Sequence, residues 1–136
     1  MSLSEEERIL LVQMQLEKSD KFMQEALVVS EMGYWNLVAN RVYYSVFHAV
    51  AGLFINDGFD VHTHKGAATV FGQKYILTGT LDAKWGKLYS KLQSLREKCD
   101  YNVIYETSEA EMRPIIKESQ EMISAIKEYI QNTDNS

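Results

Sequence analysis

Cysteine is almost absent from this chain of 136 residues: Cys99 stands alone. One thiol closes no internal disulfide and builds no thiolate metal cluster. Proline is equally scarce, with only Pro114, and seven glycines supply the remaining backbone breaks. Alternating β-branched runs are few, so little in the chain would make a sheet. No apolar run approaches the ~18 residues of a membrane span. The N-terminus opens on Ser4, Glu5, Glu6 and Glu7, unlike a cleaved leader. Excess basic charge is missing as well: 14 Lys and Arg stand against 19 Asp and Glu, for a net charge of −5. That balance excludes a blanket basic surface of the kind that holds duplex DNA through its phosphates, while leaving room for a local basic site. What the chain does have is 46% hydrophobic and 11% aromatic residues, too many for a disordered segment. The expectation is one cytoplasmic domain over residues 1–136, with a polar, frayed tail from about residue 131.

The apolar residues recur at helical spacing. Ser4 and Glu7 fit a capping box, and Ile9, Val12, Leu16, Met23, Ala26 and Leu27 follow at three- and four-residue steps up to Gly33. A second helix is predicted from about Tyr34 to Ile55, ended by Asn56-Asp57-Gly58. A shorter third follows Thr63 through Ala67, Ala68, Phe71 and Tyr75, and breaks near Gly79. Thr80 or Asp82 caps a fourth, striped by Trp85, Leu88, Leu92, Leu95 and Cys99. Residues 100–107 read as a loop. Ser108 and Glu111 form a second capping box, opening a helix that buries Ile115, Ser119, Met122, Ile126 and Tyr129, with a kink or a later start imposed by Pro114. The fold class is all-α, an up-and-down antiparallel bundle of four to five helices.

The second helix is the informative one. At about 100° per residue from Asn40, the residues Val42, Tyr43, Val46, Phe47, Ala49, Val50, Leu53 and Phe54 span one broad apolar face. The opposite stripe holds Asn40, Arg41, Tyr44, Ser45, His48, Ala51 and Gly52. Arg41 and His48, seven residues apart, lie within about 20° of each other, two turns apart, with Tyr44 between them. The stripe carries no acid, and its small residues admit a close backbone. It is suited to contact with another helix, with a second copy of the chain or with a ligand. An ordinary packed bundle would also account for one Arg and one His hydrogen-bonded there.

The run Asn40-Arg41-Val42-Tyr43-Tyr44-Ser45-Val46-Phe47-His48-Ala49 resembles the signature of HEPN-domain proteins. The likeness extends to Gly33, to Thr63-His64-Lys65-Gly66, and to Arg96 with Asp100-Tyr101, and so covers the chain from about Glu7 to Ile130. It is closest to small prokaryotic HEPN proteins often encoded beside a minimal nucleotidyltransferase. The resemblance implies a helical bundle, usually a homodimer, and a metal-independent ribonuclease of toxin–antitoxin type. In that activity a polar residue, an Arg and, after four to six residues, a His form the motif. Asn40, Arg41 and His48 meet the pattern. Where members paired with a nucleotidyltransferase often carry a Tyr two residues after the His, this chain has Val50.

Metal-free RNA cleavage needs proton transfer and a cation at the phosphorane. Imidazole suits the first near neutral pH, and guanidinium suits the second. Arg41 and His48 are therefore the candidate catalytic residues. Asn40 would orient Arg41 or the phosphate, and Tyr44 would stack on a base or donate to the phosphate. One such His per chain supplies one proton-transfer group, so a two-fold dimer would supply the second. His64 and Lys65, opening the third helix, are candidate anion contacts. Arg96, Asp100 and Tyr101 are expected to form a structural network. Asp60, His62 and His64 alternate on a loop but lack further strong ligands, so no metal and no cofactor is expected. RNA or a nucleotide is the expected ligand. The other function class is a non-catalytic HEPN module that binds a nucleotide or a nucleotidyltransferase partner through the same stripe.

Overall fold

The computed structural model describes residues 3–134, and among them every regular element is helical. Helix α1 spans Glu5–Glu31, α2 Trp35–Asp57, α3 His64–Phe71, α4 Ala83–Tyr101 and α5 Glu109–Asp134. The all-α bundle read from periodicity is the fold. Ser4 and Glu7 satisfy each other's backbone amides at the start of α1. That helix stops where Gly33 takes φ +78°, a left-handed residue that glycine adopts without strain. Gly58 ends α2 in the same way, with the Phe59 amide reaching back to the Phe54 carbonyl.

Helix α2 is the centre of the bundle and packs against α1, α4, α5 and α3. Its Val38, Val42, Tyr43, Val46, Ala49, Val50, Leu53 and Phe54 are buried. Helix α1 runs antiparallel along it, joined by a short turn, so its partners on α2 descend as it ascends. Two expected core residues of α1, Ile9 and Leu27, stay 40% exposed. Val12, Met23 and Ala26 of the expected row are buried, and Ser19 and Ser30 join them on that face. The reason lies across the interface: the Ser45 hydroxyl donates to the Ser19 carbonyl at 2.7 Å, a small-residue contact that sets the rotation of α1.

Several boundaries move. Helix α3 does not run straight to Tyr75 but passes into a π-helical turn over Gly72–Ile76. The extra residue carries the buried Tyr75 hydroxyl to the Asp57 carboxylate at 2.7 Å, where Tyr129 of α5 also donates at 2.8 Å. Asp82, not Thr80, caps α4, accepting from the Lys84 amide. Asp100 and Tyr101 are helical rather than part of the loop, because Asp100 reaches back one turn toward Arg96. Ser108 accepts from the Glu111 amide, but the Glu111 carboxylate goes to Tyr105 and Thr107, so the second capping box is half formed. Helix α5 begins at Glu109 with Pro114 inside it, and continues to Asp134 through the start of the expected tail; Asn135 and Ser136 lie outside the described residues.

Candidate functional site

Arg41, Tyr44 and His48 occur at three- and four-residue steps on α2, and all three are half-buried. Gln15, Phe22 and Glu25, seven and three residues apart, lie on the facing flank of α1. The antiparallel register brings the two rows together. Gln15 Oε1 accepts from His48 Nδ1 at 2.8 Å. The Phe22 ring stacks on the His48 ring at 5.4 Å and 4°, and the Arg41 guanidinium lies 5.5 Å from the same phenyl centroid. Glu25 faces Arg41 at 3.2 Å, so α1 supplies the acid that the stripe on α2 lacks.

With Nδ1–H held by an amide oxygen, the neutral His48 ring keeps its Nε2 lone pair for a proton. Burial lowers the His48 pKa, and the positive charges of Lys18 and His64 lower it further. The imidazole is therefore unprotonated at neutral pH and able to accept a proton.

Arg41 is held from a second side. Asn40 Oδ1 accepts from Arg41 Nη1 at 3.0 Å, while Asn40 Nδ2 lies 3.3 Å from Asp100 Oδ2. Asp100 in turn faces Arg96 at 3.6 Å. Arg96, Asp100 and Tyr101, expected as a separate network, are thus joined through Asn40 to Arg41. Arg96 is only 7% exposed, and its Nε–H finds no hydrogen-bond partner. Its guanidinium sits over the rings of Tyr43, Tyr44 and Tyr101 at 4.9, 5.9 and 6.0 Å, which offsets part of the cost of burying the charge.

His64 enters from the first turn of α3 and turns inward. Its Nδ1 meets the Tyr43 hydroxyl at 2.8 Å, and its ring lies 4.5 Å from that of Phe47. Lys65 is exposed on the same turn, and the Gly66 amide is already taken by the Thr63 hydroxyl. His62 pairs with Asp60 at 2.7 Å on the exposed loop, so Asp60, His62 and His64 do not converge.

The small residues of the stripe have a different fate. Ser45 and Gly52 are buried beneath α1, where a Cβ on Gly52 would meet Gln15, Leu16 and the Val12 carbonyl. The second surface that the stripe requires is therefore, over this half, a helix of the same chain. A cleft of about 240 Å³ adjoins the other half, and Gln15 and Phe47 line it.

These residues are held in one arrangement over nearly the whole chain, and the HEPN domain profile matches residues 12–129. The chain belongs to the HEPN domain family. Among proteins similar to this HEPN chain, a UPF0332 protein of Archaeoglobus fulgidus is 27% identical over 119 residues, covering 88% of this chain and 94% of the relative. A UPF0332 protein of Thermotoga maritima is 27% identical over 93 residues, 68% of this chain and 70% of the relative. A protein of Methanocaldococcus jannaschii named "Putative toxin" is 25% identical over 119 residues, 88% of each chain.

Sequence spacing singled out Arg41, His48, Asn40 and Tyr44, of which the structure places Arg41, Tyr44 and His48 on one half-buried face of α2. It missed Gln15, Phe22 and Glu25, whose 7- and 3-residue steps mark one flank of α1. It also missed the hydroxyl of Tyr43, a residue placed on the apolar face. No helix among the described residues is long and apolar enough to cross a membrane.

Proposed function

We propose that this HEPN protein is a metal-independent endoribonuclease of toxin type, acting in the cytoplasm as a homodimer, with Arg41 and His48 in the catalytic roles. The observation that carries the reading is the shared half-exposed face of these two side chains, with Phe22 packed between them. His48 Nε2 takes or returns a proton at a ribose 2′-hydroxyl or a leaving 5′-oxygen. Arg41, oriented by Asn40, neutralises charge on the phosphorane, and Tyr44 offers a ring for a base to stack on. Membership of the HEPN family and the toxin name of one relative support the class of activity. The partner proposed to restrain it is a nucleotidyltransferase, whose addition should suppress cleavage.

The test is cleavage of single-stranded RNA in the presence of EDTA, with products carrying a 2′,3′-cyclic phosphate. His48→Ala should lose a factor of ~10² to 10⁴, and Arg41→Ala should lose activity while staying folded. Equal rates for wild type and His48→Ala would refute the assignment. A second reading, a non-catalytic module that binds a nucleotide, is favoured by the Glu25 carboxylate, which already occupies Arg41. Its expected result is nucleotide binding by a folded protein that leaves RNA intact.

A further inference from the structure

His64 stands at a helix start, yet its imidazole is held among the rings of the site. Its imidazole and that of His48 pack against one phenyl ring, Phe47, at 4.5 and 5.6 Å. Each has Nδ1 fixed by a neutral partner at 2.8 Å, Tyr43 for His64 and Gln15 for His48. In each ring that leaves Nε2 as the nitrogen that can exchange a proton. A phenol oxygen can accept from Nδ1–H, and with Nδ1–H donating to Tyr43 in both protonation states His64 keeps Nε2 for the exchanging proton. Burial pushes the Tyr43 hydroxyl up to about 12, so it stays a phenol throughout. Behind it the ring of the buried Tyr89 meets the Tyr43 ring edge-on at 6.4 Å.

We infer that His64 is the second proton-transfer group of this site, so that one chain carries both the acid and the base for transesterification. The inference rests on the ribonuclease reading and removes its need for a second His from a partner copy. In the step, the ribose 2′-oxygen forms a bond to phosphorus as its proton passes to Nε2 of one imidazole. The bond from phosphorus to the 5′-oxygen breaks, and the other imidazole, protonated at the outset, gives its proton to that oxygen. The products are a 2′,3′-cyclic phosphate and a 5′-hydroxyl, and solvent resets the two rings. The charged and titratable groups facing the pair are Lys18 from α1, Tyr43 and Tyr44 from α2, and Arg96 from α4. Arg96 and burial both keep His64 from holding its proton too tightly.

The experiment compares an ordinary RNA dinucleotide with one whose bridging 5′-oxygen is replaced by sulfur, in EDTA, for wild type, His48→Ala and His64→Asn. A thiolate leaves without a proton, so the variant lacking the acid regains its rate on the sulfur substrate and the variant lacking the base does not. His64→Asn retains a polar partner for Tyr43 but has no titratable nitrogen. On the oxygen substrate it should lose ~10² to 10⁴ in rate. Rescue of one variant and not the other by sulfur is the expected result. If His64→Asn cleaves at the wild-type rate, or if sulfur rescues neither variant or both, the inference falls while the ribonuclease reading stands. If wild type itself leaves both substrates intact, the ribonuclease reading falls and takes this one with it. Should His64→Asn lose helicity, Tyr43→Phe decides: it keeps the buried ring and frees the imidazole, and an unchanged rate would overturn the inference.

Discussion

Gly52 tests whether the small-residue stripe belongs to the interior of the chain or to a seam between copies. A Cβ at this position would lie 3.4 Å from Gln15 Cβ, 3.5 Å from Leu16 Cδ2 and 3.6 Å from the Val12 carbonyl oxygen. All three are ordinary contact distances, so Gly52→Ala fits without moving α1. It also gains the helix propensity that glycine forgoes, roughly 0.8–1 kcal/mol. Leucine carries three further heavy atoms into a space those neighbours already close, and overpacking of this kind costs about 1–3 kcal/mol. Alanine and leucine have similar propensities, so comparing the two variants removes the glycine contribution and isolates the steric one. Gly52→Leu should be about 1–3 kcal/mol less stable than Gly52→Ala. At about 2.1 cal/mol/K of unfolding entropy per residue, a chain of 136 residues shifts by roughly 3.5 °C per kcal/mol. The expected gap in melting temperature is then about 3–10 °C, read by far-ultraviolet circular dichroism. If Gly52→Leu melts with Gly52→Ala and differs only in oligomeric mass, the residue lies on a surface seam and the packing argument is wrong.

Two other expectations follow from buried polar groups. Asp57→Ala removes the acceptor of the Tyr75 and Tyr129 hydroxyls and strands a phenol that is 1% exposed. It should cost about 3 kcal/mol by urea denaturation at unchanged slope, and a loss below about 1 kcal/mol would contradict this. His48 and His64 both have pKa values lowered from 6.5 by burial, so the unfolded chain binds the protons more readily. Their contribution is complete above about pH 6.5 and is lost as pH falls through the lowered values. The denaturation midpoint should fall over that window, and His64→Asn should flatten the slope; an unchanged slope would refute the assignment.

The helices were legible because the periodicity of buried residues needs no knowledge of neighbours. What was not legible depended on how two helices meet. Ile9 and Leu27 fit the apolar period of α1, yet the contact between Ser19 and Ser45 rotates them to its margin. The π turn at Gly72–Ile76 is a backbone displacement whose benefit, the bond from Tyr75 to Asp57, joins residues on different elements. The site divides along the same line. Arg41, Tyr44 and His48 share a face of one helix and could be read from spacing. Gln15, Phe22 and Glu25 acquire meaning only when α1 is set antiparallel in its observed register. His64 stood at a helix start, where capping is the ordinary expectation, and its partner Tyr43 counted as core because its ring is.

That register also separates two expectations that the sequence ran together. On α2, Ser45 and Gly52 lie at about 120–140° from Asn40, while Arg41, Tyr44, His48 and Ala51 lie at about 20–100°. Helix α1 covers the first group, burying Ser45 and Gly52. The second group stays half-buried at its flank, where Glu25 pairs with Arg41 and His64 arrives from α3. A stripe that looked like one surface is thus an intramolecular seam beside an opening. The close-packing argument for a homodimer is used up by α1, which leaves the dimer resting on the family resemblance. The chemical argument for the opening is untouched, because it depends on Arg41, Tyr44, His48 and His64 and not on the small residues. Disrupting the seam should therefore lower stability without abolishing reactivity, whereas changes at the two imidazoles should do the reverse.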